Sequence, residues 1–279
     1  MDLSLPPGID RLPLHRAHLE AVCRAASGRH GIVGMVIGGS FASGQADEFS
    51  DLDLQLVLER EEAEGLAGQL RDIADAAGPV VAAFTAEHVG LPNMLIVLYE
   101  DLVHADFEPV PLMRLSERNA GLSSFILWDH DGSISSTLPS GRKHDDPVRE
   151  LTWFEARMWT WSWYIQTKLL RGELYEALDG LQYIRNNVLF SLLARHRGEL
   201  ATGARRAEQR LGSWADRFAV TVPDMTPPSI LTALRETMRL YADLADPLLA
   251  QQDVDREDGA RAVVLTALDA GLSWRPGAQ

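Results

Sequence analysis

The chain has 279 residues, 46% of them hydrophobic and 24% charged, enough for one large domain or two ordinary ones that each bury a core. A formal net charge of −14 repels phosphate backbones and anionic lipid heads, so neither polymeric nucleic acid nor a membrane is an expected partner, whereas a cationic small molecule is attracted. The single cysteine, Cys23, excludes an intrachain disulfide and a cysteine-built zinc site; with no signal-like N-terminus and no bilayer-length apolar run, the expected compartment is the cytoplasm.

Leu12, Leu14, His18, Leu19, Val22 and Ala26 recur at helical spacing and predict an amphipathic helix over residues 10–27. A short β-branched strand follows at 32–37 and runs into Gly38-Gly39-Ser40, a turn with little side-chain bulk. Residues 51–58 read as the next strand, 61–77 as a helix and 80–84 as a short strand. Residues 94–110 read as two strands reversing at Glu100 and Asp101, and 123–127 as a further strand. The run Trp128-Asp129-His130-Asp131-Gly132 reads as a turn in which aspartates cap backbone N–H groups. Residues 132–146, rich in Ser, Gly, Pro and charge, form the expected linker. Beyond it, apolar residues fall every three or four positions, which predicts helices over 148–170, 174–196, 204–219, 229–249 and 256–272. The expected fold class is an α/β (α+β) domain with a mixed sheet over 1–135, followed by an all-α helical bundle over 147–279.

The informative segment is Gly39-Ser40, then ten residues, then Asp51-Leu52-Asp53-Leu54 opening a strand. Strand alternation points Asp51 and Asp53 to one face and the leucines to the other. Such a pair is costly to bury unpaired, so it belongs at a cleft or around a cation, and hard oxygen ligands suit magnesium. Asp106 lies on a later strand whose polar face also carries His104 and Glu108, either acid of which can be the third ligand. If that strand adjoins the Asp51 strand, three carboxylates converge as a two-magnesium centre suited to in-line phosphoryl displacement. Backbone N–H groups of the Gly39-Ser40 turn would then cradle the departing phosphates. Neither a P-loop nor a Gly-x-Gly-x-x-Gly motif is present.

This pattern resembles the DNA polymerase β-like nucleotidyltransferase superfamily. Within it the likeness is to antibiotic nucleotidyltransferases: Gly39-Ser40-Phe41, Gly44, Asp47 and Ser50-Asp51-Leu52-Asp53, together with Arg171-Gly172-Glu173, Leu178, Leu181 and Asn187, are similar to lincosamide nucleotidyltransferases of the larger, two-domain type. The lincosamide pattern has Glu where this chain has Asp53 and Asp106; aminoglycoside-type relatives have Asp. The resemblance implies transfer of AMP from ATP to a hydroxyl of a small acceptor, with Asp51 and Asp53 holding magnesium, Ser40 on the nucleotide phosphates and Asp106 as general base. It makes 1–135 the catalytic domain and 147–279 the acceptor-binding domain.

Lys168 and Arg185 are the helical residues expected to reach the triphosphate. Glu173, Trp159 and Trp163 are those expected to bind a cationic acceptor between the two domains. Each has a plainer reading, as solvated charge, first-turn helix acid or core aromatic. Two other functions fit the same residues: a catalytically silent, antitoxin-like nucleotide-binding module, and an enzyme that nucleotidylates a protein. The oligomeric state is open, a homodimer included.

Overall fold

The computed structural model describes residues 3–60, 66–138, 146–199, 201 and 203–275. The chain divides into two compact units, Met1–Lys143 and His144–Gln279. Among the described residues no helix is long and apolar enough to cross a membrane.

The first unit is built on a six-stranded mixed sheet. Its strands are β1 (Ile32–Ile37), β2 (Leu52–Leu58), β3 (Val80–Ala86), β4 (Leu91–Tyr99), β5 (His104–Pro111) and β6 (Phe125–Asp129), in the order β3-β4-β5-β2-β1-β6. Its helices are α1 (Pro13–Ala26), α2 (Gly39–Ala42), α3 (Leu66–Ala77), α4 (Leu115–Arg118) and α5 (Ser133–Thr137). Helix α1 opens on a proline, whose missing N–H costs nothing there, and buries His15, His18, Leu19, Val22, Cys23 and Ala26. The helix expected over 61–77 is observed as α3; residues 61–65 lie outside the described residues.

Strands β2 and β5 are parallel, while the other pairs are antiparallel. On one sheet face Leu52, Leu54, Leu56 and Leu58 of β2 and Ala105 and Phe107 of β5 join the core with residues of α1 and α3. The opposite face carries three layers set by the β2–β5 register: Asp53 beside Asp106, Gln55 beside Glu108, and Val57 beside Val110. The valine layer is closed by Val36, Leu115 of α4 and Ile134 of α5. Burying that end leaves the carboxylates at the other.

The Asp129 carboxylate accepts from the N–H groups of Gly132 and Ser135 at 3.1 and 2.9 Å, so the 128–132 run is a capping turn. The expected linker 132–146 begins with α5, whose Ile134 is fully buried, so part of it belongs to the first unit; residues 139–145 lie outside the described residues.

The second unit is helical: α6 (Pro147–Arg171), α7 (Leu174–Ile184), α8 (Phe190–His196), α9 (Ala207–Arg210), α10 (Ala215–Val220), α11 (Pro227–Gln251) and α12 (Asp258–Ala270). Helix α6 starts on an Asp146 cap, which accepts from Val148 N at 3.0 Å, and stops at Gly172, whose φ of +77° suits glycine. The single helix expected over 174–196 contains a π turn at Arg185–Leu189 between α7 and α8. The helix expected over 204–219 is broken, because Gly212 adopts a φ of +53° between α9 and α10. Met158, Ile165, Leu181, Leu234, Met238, Tyr241 and Leu244 lie in its core.

Candidate active site

Parallel pairing sets Asp53 directly opposite Asp106, and Asp51 precedes β2 by one residue. Each of the three offers a carboxylate oxygen within 4.8 Å of the others, and all three are half-buried. This is the arrangement the alternation of Asp51 and Asp53 calls for, completed by a strand far away in sequence. Asp106 is 17% exposed, and its Oδ1 has no hydrogen-bond partner among the described residues; His104 Nε2 stands 3.4 Å away at ion-pair distance. Burial holds the Asp106 carboxyl above the ordinary carboxylate range, opposed by His104 and reinforced by Asp51 and Glu108.

Glu108, the rival third acid, is engaged elsewhere. Its Oε1 accepts from Arg118 Nε at 2.5 Å and its Oε2 from Gln55 Nε2 at 3.3 Å. Asn119 Nδ2 in turn donates to Gln55 Oε1 at 2.8 Å. This polar network forms the middle layer of the sheet face and leaves Asp106 as the third member of the cluster.

The Gly39-Ser40 turn abuts the acids. Gly38 N donates to Asp53 O at 2.9 Å, and Gly39, at φ +57°, is so close that a Cβ there would meet Asp53 Oδ2 at 1.8 Å. Glycine is therefore required twice, by backbone conformation and by the carboxylate beside it. Ser40 is 6% exposed, and its hydroxyl has no hydrogen-bond partner among the described residues. A buried hydroxyl and a buried carboxylate oxygen that make no hydrogen bond among the described residues, together with three clustered carboxylates, form a donor set that fits a divalent cation and an anionic ligand beside it.

Such a centre defines a class of metal-dependent transferase. Residues 15–101 match the family model of the nucleotidyltransferase domain, and this part of the chain is a nucleotidyltransferase domain of the DNA polymerase β-like kind. No curated protein matches the chain. Among solved structures, the chain is similar to an aminoglycoside 6-adenyltransferase from Bacillus subtilis, with 16% identity, 90% of this chain and 96% of that one covered, and a TM-score of 0.42. A nucleotidyltransferase-like protein from Exiguobacterium sibiricum gives 12% identity, coverage of 93% and 88%, and a TM-score of 0.38. A CD-NTase from Bradyrhizobium diazoefficiens in complex with GTP gives 15%, 96% and 95%, and 0.33.

In the helical unit the expected ligand-binding residues are placed differently from one another. Trp159 lies in the core. It is 2% exposed, its Nε1 donates to Glu155 Oε1 at 3.0 Å and its ring packs edge-on to Tyr241. Trp163 is partly buried against the core and meets Trp274 edge-on at 4.6 Å. Lys168 and Glu173, expected on triphosphate and acceptor respectively, pair with one another at 3.1 Å, and Lys168 also reaches Glu176 at 2.9 Å. Arg185 donates to the Thr221 carbonyl at 2.9 Å, with burial lowering its pKa. Trp153 and Tyr183 are among the outward-facing aromatics, 39% and 46% exposed, and are joined edge-to-face through Trp161. Since α6 carries aromatics all round, its periodicity alone does not choose between them.

Proposed function

We propose that the chain transfers AMP from ATP to a hydroxyl of a small, amine-bearing molecule of the lincosamide or aminoglycoside kind, in the cytoplasm. The observation that carries this reading is the register that sets Asp53 opposite Asp106, with Asp51 beside them and Gly39 against Asp53. Magnesium ions held by Asp51, Asp53 and Asp106 would neutralise charge on the triphosphate. Asp106 takes the proton from the acceptor hydroxyl. The hydroxyl oxygen then bonds to the α-phosphorus, the bond from that phosphorus to the bridging oxygen of the β-phosphate breaks, and pyrophosphate leaves. Its charge meets the backbone N–H groups of the turn and the Ser40 hydroxyl. His104 Nε2, on a side chain 40% exposed, lies 3.4 Å from Asp106 Oδ1.

We assign acceptor recognition to the helical unit, where Trp153 and Tyr183 are exposed and flank Trp161, aromatic rings being suited to amines and sugar-like rings. The net charge of −14 supports a cationic acceptor. The test is ATP labelled at the α- or the γ-phosphate, with magnesium and cationic, neutral and anionic hydroxyl acceptors. The expected result is α-label on a cationic acceptor and release of pyrophosphate. The γ-label on the acceptor would overturn the reaction. Binding of nucleotide with no label moved, or α-label on protein in a lysate, would favour the silent module or the protein-modifying enzyme instead.

A further inference from the structure

We infer that His15 is a positioning residue for the carboxylate cluster, holding Asp51 in place relative to the Gly39-Ser40 turn; this rests on the reading of that cluster as the metal site. His15 lies on the buried face of α1 and is 4% exposed. Its Nε2 stands 2.8 Å from the carbonyl oxygen of Ser50, the residue before Asp51, and Ser50 is itself buried. A carbonyl only accepts, so Nε2 carries the hydrogen. The other side of the contact is the turn, because the His15 ring packs 5.6 Å from the ring of Phe41, the residue after Ser40. One imidazole thus touches the chain immediately after the proposed phosphate cradle and immediately before the first metal ligand.

The connection between those two points is tied locally. Gln45 N donates to Ser40 O at 2.9 Å, and Phe49 N donates to Asp47 Oδ1 at 3.1 Å. Asp47 N donates to Ser50 Oγ at 2.9 Å, and that hydroxyl donates back to Asp47 Oδ1 at 3.0 Å. These bonds shape the loop, and His15 links it to the helix layer behind the sheet. Burying an imidazole on a face that also carries Leu19, Val22 and Ala26 is less favourable than burying another aliphatic, unless its polar atom is bonded. The bond it makes falls at the one carbonyl that leads into Asp51, and a ligand displaced by about 1 Å is costly to a reaction that depends on alignment.

The experiment compares full-length wild type, His15→Gln, His15→Met and Asp51→Asn. Glutamine keeps an amide N–H where Nε2 stood; methionine keeps volume without a donor. Mn2+ affinity is measured by electron paramagnetic resonance in the presence of α,β-methylene ATP, alongside melting temperature and the kcat and KM of AMP transfer. The expected result is that His15→Met weakens Mn2+ binding about tenfold and lowers kcat with the acceptor KM unchanged, and that His15→Gln restores both. A His15→Met protein that melts lower but binds Mn2+ as wild type would overturn the inference and leave His15 a packing residue. Asp51→Asn separates the two readings: loss of Mn2+ there with retention in His15→Met defeats only the positioning role, whereas retention in Asp51→Asn defeats the metal site itself. If His15→Met does not fold, 15N NMR of the wild-type imidazoles decides. A proton on His15 Nε2 whose resonance shifts when Mg2+ and the analogue bind supports the inference, and an unprotonated or unresponsive Nε2 overturns it.

Discussion

Replacing Gly39 by alanine probes the contact between the turn and the acids. The new Cβ would lie 1.8 Å from Asp53 Oδ2, against an ordinary contact of 3.4 Å or more, so the carboxylate must retreat by roughly 1.5 Å or the turn must open. The left-handed backbone at φ +57° adds a stability cost of about 1–2 kcal/mol for any residue with a Cβ. Gly44 is the matched control, since its φ is +71° but a Cβ added there would meet no atom within 4 Å, so Gly44→Ala incurs the backbone cost alone. Urea unfolding should report the backbone cost in both variants and a further loss from the clash in Gly39→Ala. Pyrophosphate release should separate them, with Gly39→Ala reduced about 100-fold through misplacement of Asp53 and Gly44→Ala close to wild type. Turnover of Gly39→Ala within twofold of Gly44→Ala would refute the placement of Asp53 as a working ligand against the turn.

Asp53→Asn and Asp106→Asn should each abolish turnover while leaving the metal-free melting temperature unchanged or higher, because one of several clustered negative charges is removed. Burial, opposed by His104 and reinforced by Asp51 and Glu108, raises Asp106, so the native state binds this proton before the unfolded chain does. Stability should therefore rise as pH falls from above the native pKa towards about 3.9, a gain that Asp106→Asn lacks when urea midpoints are compared without metal. Glu155 is 2% exposed and accepts from Trp159 Nε1, Tyr241 OH and Glu257 N, so Glu155→Ala should cost about 3 kcal/mol or more in urea by orphaning buried donors. Burial pushes the Cys23 thiol up to about 12, so it should resist alkylation at pH 8–9 in the native protein, about where a free thiol reacts. Unfolding should be favoured as pH rises from about 9 through that value, and Cys23→Ser should flatten this alkaline loss.

What was legible in the sequence followed local rules. The two-residue alternation that turns Asp51 and Asp53 to one face and the apolar spacing that places a helix over 148–170 each act within a few residues. The third acid was ambiguous because Asp106 and Glu108 share a face. The choice depends on a parallel register with β2 and on Gln55 and Arg118, both set by tertiary pairing. Gly39 was legible as part of a turn with little side-chain bulk, while its collision distance to Asp53 was not. Among the tryptophans of α6, position on the helix did not distinguish Trp159 from Trp153; packing against Tyr241 and Glu155 buries the first and leaves the second outward. His15 carried no sequence signal, since the carbonyl it serves lies 35 residues away.

The central claim is that Asp51, Asp53 and Asp106 hold the cation that binds the nucleotide. A crystal grown with Mn2+ and α,β-methylene ATP, measured for anomalous scattering, tests it most directly. The account predicts anomalous density bounded by the three carboxylates, with the triphosphate against Gly39 and Ser40. Mn2+ bound elsewhere on the chain, with these carboxylates unliganded and the nucleotide away from the turn, would contradict it.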